Sequence, residues 1–230
     1  MEEVRKCLRE LLIFSKLEAD EVQLICERSS EKRFYKEEII LFEDNNDENL
    51  YILVEGRVKL TMLSSEGKEK VLAILQEGDI FGEMALFDYD SNPITAEVIE
   101  EARLVIVNAE DLKLIISKKP GVALKIIEAL AKKARLLASQ IRELVFEDAE
   151  GRLAGLLLRF LDDFAVEVKS GKMIDIVLTH QEIANLMGSS RVTITKLINK
   201  FIDEGIIKIY KRKIVILDQE KLRHKLAIYS

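Results

Sequence analysis

The 230-residue chain contains no tryptophan, two prolines, two cysteines and two histidines. Cys7 and Cys26 are separated by 19 positions, with no CxxC and no histidine nearby. An iron–sulfur cluster needs about four thiolates, so this spacing supplies no such site. Both cysteines lie in helical apolar patterns and are expected to be buried structural thiols. Nothing in the order of residues offers a Ser/His/Asp set, metal-ligand spacing or a glycine-rich phosphate loop. The expectation is therefore no catalytic residue, no metal and no enzymatic activity. No run of about 18 apolar residues occurs. The first residues, MEEVRKCLRELL, carry acids and no small-residue cleavage site. These absences predict a soluble, cytoplasmic protein with no membrane partner.

Apolar residues make up 48 % of the chain and charged residues 33 %, the balance of a globular protein. The length allows one large or two modest domains. The net charge of −6 argues against a surface that binds nucleic acid all over. That charge is unevenly spread: residues 1–149 hold 21 Lys+Arg against 31 Asp+Glu, whereas residues 150–230 hold 14 against 10. Only the C-terminal part is suited to meet phosphate.

Helical periodicity covers residues 2–15 and 19–29. From about Phe34 the period becomes that of strands, in EIILF, NLYILVEG, RVKLTML, KVLAIL, TAEVIE and RLVIVN. Polar clusters at 44–49, 64–69, 76–79 and 88–93 separate them, which predicts a small antiparallel sandwich or barrel. Helix returns after Asn108. A segment ending at Pro120 is followed by a long helix from about Gly121 to Phe146. Along it Ile127, Leu130, Ala134, Leu137, Ile141 and Leu144 step alternately by three and four. This is the seam of a helix that pairs with its own copy, the alternative being a stripe that packs on its own barrel. Residues 147–151 form a polar break.

A helix over about 152–166 and two short strands around Ser170-Gly171 come next. The stretch Thr179–Asn199 then carries two helical apolar sets, Ile183, Ala184 and Met187, and Ile194, Leu197 and Ile198, on either side of Gly188. Thr179 with Glu182 forms a capping-box pattern, and Ser189 or Ser190 can cap the second helix. The pattern reads as a helix-turn-helix, with an ordinary αα-hairpin as the alternative. Ser190, Arg191, Thr193, Thr195, Lys196 and Asn199 occupy the outer face of the second helix, and none is acidic. Two further strands flank Lys211-Arg212-Lys213, a β-hairpin with a basic tip of the kind that forms the wing of a winged helix.

The segments NLYILVEGRVKL, EGDIFGEMALF, EDAEGRLAGLLL and LTHQEIANLMGSSRVTITKLINKFIDEGII occur in this order over roughly residues 15–220. Together they resemble the Crp/Fnr (catabolite activator/fumarate-nitrate regulator) family of bacterial transcription factors. The resemblance implies an α+β chain: a cyclic-nucleotide-binding-type β-barrel of jelly-roll form over 1–120, a dimerisation helix over 121–146 and a winged helix-turn-helix over 147–230. It implies a homodimeric, sequence-specific DNA-binding regulator under the control of an effector. Its partners would be double-stranded DNA, a second copy and, for an activator, RNA polymerase. A cyclic-nucleotide-type regulatory module without specific DNA recognition is the alternative.

Carried over by residue, the resemblance places an effector pocket at Gly82, Glu83, Met84, Ala85, Ile94, Thr95, Leu137 and Ala138. The family's phosphate-binding Arg-Ser has no counterpart here, where the segment reads Ser91-Asn92-Pro93-Ile94-Thr95. A buried phosphate needs a charge-assisted partner. Leu137 and Ala138 stand where the family offers hydroxyls to the purine. Tight cyclic AMP binding is therefore not expected; Gly82 and Glu83 would serve barrel architecture, and the effector would be an unidentified small molecule or none. Haem sensing would want a ligand in the barrel, but His180 and His224 both lie in the DNA-binding half. In the recognition helix the family's base-reading positions fall on Arg191, Val192 and Lys196, with Thr195 able to reach a base or a phosphate. Gln181, Ser190 and Thr193 match phosphate-contact positions, and Lys211, Arg212 and Lys213 of the wing would also approach phosphate.

Overall fold

The computed structural model describes residues 18–42, 48–87 and 94–226, with the side chains of Ala85 and Phe87 left out. The expected helix over 2–15 with its Cys7, and the segment Ser91–Pro93, lie outside the described residues. The chain divides into two compact units, Met1–Arg135 and Leu136–Ser230.

Among the described residues, the first unit begins with helix α1 (Ala19–Glu27), which buries Val22, Ile25 and Cys26. Strand β1 (Ser30–Phe34) follows, then β2 (Ile39–Leu41), β3 (Asn49–Leu63), β4 (Glu69–Leu75) and β5 (Ile80–Phe81). A short helix α2 (Glu83–Phe87) precedes β6 (Thr95–Asn108) and α3 (Ala109–Lys118). All strand pairs are antiparallel. The sequence reading separates NLYILVEG from RVKLTML and TAEVIE from RLVIVN. Instead, each pair is one long strand, β3 and β6, bent by register shifts between Leu53 and Val58. This bend lets two strands serve two layers. One half of β6 pairs with β1 and the other with β2, while the two halves of β3 pair with β5 and β4. The result is the expected jelly roll, and the bulges are the device that folds it over.

Phe34, Leu41, Leu53, Val58, Leu60, Phe81, Val98 and Leu104 fill the inside of the roll, where Tyr51 stacks on Phe81 with ring centroids 4.9 Å apart. Alternate residues of the same strands, Leu50, Ile52, Val105 and Val107, face outward into a second core with Val22, Ile25, Leu112, Ile115, Val122 and Ile126. The strand period of two sends neighbours to opposite faces, and helices cover the outer one. β1 escapes sequence recognition because four of its five residues are polar and exposed.

Helix α4 (Pro120–Phe146) is continuous, and the division between the two units falls within it. Pro120 suits a first helical position, where its missing N–H costs nothing. In the second unit α5 (Ala149–Phe164) begins at N-cap Asp148, whose side chain accepts from the Gly151 amide at 2.8 Å. The polar break is thus Glu147–Asp148 alone; Ala149–Gly151 are helical. β7 (Ala165–Val168), β8 (Gly171–Ile174), α6 (His180–Met187), α7 (Arg191–Asp203), β9 (Ile207–Tyr210), β10 (Lys213–Ile216) and α8 (Gln219–Arg223) complete the unit. Its sheet runs β7-β8-β10-β9. Among the described residues, no helix is long and apolar enough to cross a membrane.

Gly56 lies at the bend of β3 with φ +90°, and a Cβ there would overlap the Glu101 carbonyl. Gly67, in the β3–β4 turn, has φ +74° with open space around it. Gly67→Ala should cost only the left-handed strain of about 1–2 kcal/mol, whereas Gly56→Ala should cost roughly twice that or more because backbone must also shift. Urea unfolding followed by circular dichroism checks this; equal losses would mean that the bend has no steric requirement for glycine.

Candidate nucleic-acid interface and barrel site

The helix-turn-helix is set by three local devices. Thr179 and Glu182 cap α6 reciprocally: Glu182 N donates to Thr179 Oγ1 at 3.2 Å and Thr179 N to Glu182 Oε2 at 2.6 Å. Gly188 stops the helix in the left-handed region at φ +62°, ψ +44°. Ser190 then caps α7, its Oγ accepting from Thr193 N at 3.1 Å. Between these fixed ends, Ile183, Ala184, Leu186 and Met187 are buried from α6, and Ile194, Ile198 and Phe201 from α7. Burying that face of α7 leaves Arg191, Val192, Lys196 and Asn199 exposed on the other. Val192 is 64 % exposed, an apolar side chain held in water amid polar neighbours.

The predicted contact residues differ in how free they are. Among the described residues, neither Arg191 nor Lys196 has an acidic partner, whereas Lys200, on the same helix, is paired with Glu150 and Glu204. Ser190 Oγ and Thr193 Oγ1 are 2.8 Å apart, and Gln181 donates to Asn185 at 2.8 Å. Thr195 is committed within the motif, donating to the Arg191 carbonyl at 2.9 Å while His180 Nδ1 lies 2.8 Å from the same oxygen. At the wing, Lys211 and Arg212 form a two-residue turn with φ +48° and +65°. Such a turn favours Asn-Gly, and two long basic residues in left-handed conformations carry strain of order 1–3 kcal/mol each. Lys213, expected to be a third free cation, is instead ion-paired with Asp175.

Sequence reasoning did not find His180, because it meets Thr195 across the interhelical turn, 15 positions away. Nor did it find the charge network that ties the ends of α5, α7 and α8. Glu150 bonds both Lys200 and Lys225, at 2.6 Å for Lys225, and Lys225 also meets Glu204 at 2.6 Å. Lys200 and then Lys225 hold the Glu150 carboxyl below its ordinary range.

In the barrel, Gly82 has φ +87°, and a Cβ there would overlap the Asn49 carbonyl, so glycine is required by the fold itself. Glu83 is buried, and both its oxygens accept from Lys133 Nζ at 2.8 Å. The adjacent Lys132 reaches Asp79 at 3.2 Å. Both of these α4 lysines are thus ion-paired. Ile94 packs against the inner core, Met84 is exposed, and the buried Thr95 hydroxyl has no hydrogen-bond partner among the described residues. Ala85 lies in α2. In the second unit Leu137 and Ala138 are exposed along α4. The barrel's buried cation, Lys59, already meets Glu69 at 3.3 Å and Glu97 at 3.1 Å; burial pushes it down, and the two carboxylates together outweigh this and raise it. Lys68 is spent on Glu66 at an exposed turn. Among the described residues, the carboxylate that would take ribose hydroxyls is bound to an ammonium, and the buried Lys59 is held by two carboxylates.

Along α4, Ile127, Ala134, Leu137, Ile141 and Leu144 are exposed, while Leu130 packs partly against the helix-covered core. Leu124, Val145 and Phe146 extend the exposed apolar set.

Residues 31–119 match the family model described as cyclic nucleotide-binding domain, and residues 151–225 the Crp-like helix-turn-helix domain. A CRP-like cAMP-activated global transcriptional regulator of Mycobacterium tuberculosis is 28 % identical over 213 residues, 93 % of this chain and 95 % of the relative. The anaerobic regulatory protein of Bacillus subtilis is 27 % identical over 212 residues, 91 % of this chain and 89 % of the relative. Among solved structures, a CooA mutant from Carboxydothermus hydrogenoformans superposes with a TM-score of 0.75 at 27 % identity, over 87 % of this chain and 88 % of that one.

The depressed Glu150 carboxyl fixes the sign of a pH effect. A group bound more tightly as the anion stabilises the fold above the ordinary carboxylate range, and that stability is lost as pH falls through the folded value. Glu150→Gln should be less stable than the parent at about pH 6, with the gap closing towards about pH 3. Thermal unfolding at the two pH values measures it; a gap that does not change with pH would show that the network contributes nothing through Glu150.

Proposed function

We propose, from the premise that the chain belongs to the Crp/Fnr family of transcription regulators, that it works as a cytoplasmic homodimer reading a near-palindromic DNA site without requiring cyclic AMP. The observation that carries the DNA reading is the sorting of charge on α7: Lys200 is neutralised by carboxylates, while Arg191 and Lys196 on the outward face have none among the described residues. Arg191 is suited to guanine O6 and N7, a contact giving about 1–3 kcal/mol of discrimination. Lys196 does similar work with a less rigid head. Val192 offers only a methyl surface, which matches a thymine methyl. Thr195 borders the same face. Gln181, Ser190 and Thr193, with Lys211 and Arg212 of the wing, would hold phosphates; Lys213 would do so only by leaving Asp175.

The exposed set Ile127, Ala134, Leu137, Ile141 and Leu144 supports pairing with a second copy, since such a stripe in water is otherwise unfavourable. Two copies would set their recognition helices about one DNA turn, roughly 34 Å, apart. The pairing of Glu83 with Lys133, and the lack of any arginine in residues 82–102, support an effector other than cyclic AMP or none. The cyclic AMP in a relative's name belongs to that relative.

Arg191→Ala should erase preference among duplexes while keeping weak, salt-sensitive binding. Replacing Lys211 by Asn and Arg212 by Gly should instead weaken all duplexes alike, lower the salt slope and raise the unfolding temperature. Competition gel shifts separate the two; intact preference in Arg191→Ala would contradict the assignment of α7. Leu137→Glu combined with Ile141→Glu should give monomers by ultracentrifugation, and a persistent dimer would place the interface elsewhere.

A further inference from the structure

His180 is the first residue of α6, and its Nδ1 lies 2.8 Å from Thr195 Oγ1 on α7. The Thr195 hydroxyl has a single proton, which goes to the Arg191 carbonyl at 2.9 Å. The bond between His180 and Thr195 therefore needs the proton on Nδ1. A neutral imidazole carries one N–H, so Nε2 is left as a bare acceptor. Thr195 lies one turn from Arg191 and one turn from Asn199, both exposed, so the half-buried His180 ring borders the outward stripe of α7, next to the exposed Gln181.

Phosphate oxygens only accept hydrogen bonds, and a bare ring nitrogen facing one is repelled. A proton on Nε2 converts that repulsion into a charge-assisted bond. Histidine is the side chain whose charge ordinarily changes between about pH 5 and 8. We propose that His180 is a DNA-phosphate ligand that acts as the imidazolium, so that DNA binding takes up a proton at this residue. The inference rests on the reading that the outward face of α7 meets DNA.

The charged groups around His180 favour a phosphate as the counter-ion. Glu182, on the same helix turn, is held by the backbone and hydroxyl of Thr179. From α7, Arg191 and Lys196 are exposed without an acidic partner among the described residues. Leu156, Leu157 and Phe160 of α5 wall a cavity with Ile183, and Arg212 also lines it. The other acids on these elements are Glu150, held by Lys200 and Lys225, and Asp162, Asp163 and Asp203 at the C-terminal ends of α5 and α7. Beside Arg191 and Lys196, phosphate supplies the negative charge. Thr195 is a positioning residue here: by accepting from Nδ1 it denies neutral His180 a donor at Nε2.

The test uses the full chain and a duplex selected from a random pool, with affinity measured at about pH 6 and pH 8 at several salt concentrations. Calorimetry in two buffers of different ionisation enthalpy counts protons. For each of the two subunits, the parent should bind about tenfold more weakly at the higher pH, with uptake of a fraction of a proton and a salt slope smaller by about 0.9. His180→Gln, a neutral donor at any pH, should show none of these changes. Thr195→Val frees Nδ1, allows Nε2–H in the neutral ring, and should flatten the profile with the histidine still present. Parent and His180→Gln sharing one pH profile and proton count would overturn the proposal while specific binding itself remains. An unflattened Thr195→Val profile would overturn the tautomer lock. Failure of the parent to bind any selected duplex at either pH would overturn the DNA reading and this inference with it.

Discussion

A helix that buries Ile194, Ile198 and Phe201 on one face must present the opposite face to water, and where that face points depends on the turn before it. Gly188 in the left-handed region, with Thr179 and Ser190 capping either helix, sets the turn, and the buried faces and the His180–Thr195 bond hold α7 against α6. Arg191, Val192 and Lys196 are exposed and take no part in these contacts, so their chemistry is free to serve another molecule. Lys200 makes the contrast: towards the C-terminal end of the same helix, it is tied into carboxylates. The division of α7 into a structural and a presenting face is the constraint on which a reading surface rests.

The wing repeats the principle at higher cost. Its tip places Lys211 and Arg212 in backbone conformations that Gly and Asn adopt more easily. Strain at a site that local structure does not need is a reason to look for a partner. In the barrel the opposite holds. Gly82 and Glu83, the residues that most resemble a nucleotide site, have structural work of their own: a carbonyl contact that excludes a Cβ, and a two-bond ion pair with Lys133.

Elements with strong periodicity were legible in the sequence: the capping box at Thr179, the glycine turn, the long helix and the wing hairpin all follow from local pattern. The bends of β3 and β6 were not, because a bulge keeps the apolar alternation on both sides and looks like a turn at Gly56. β1 was hidden by its polar surface, since its pairing with β6 depends on backbone groups. The candidate site divides in the same way. Arg191, Val192 and Lys196 can be named from helical spacing, but the commitment of Thr195 to His180 and of Glu83 to Lys133 joins residues 15 and 50 positions apart. Only tertiary packing brings such pairs together, and they decide which side chains remain available.

The most direct measurement is selection of duplexes from a random pool, followed by anisotropy titration of the enriched sequence with and without cyclic AMP. Enrichment of a two-fold symmetric site, bound equally well in both conditions, is the predicted result. No enrichment, or binding that appears only when cyclic AMP is added, would contradict a reading head that operates with the Glu83–Lys133 pair in place of the nucleotide.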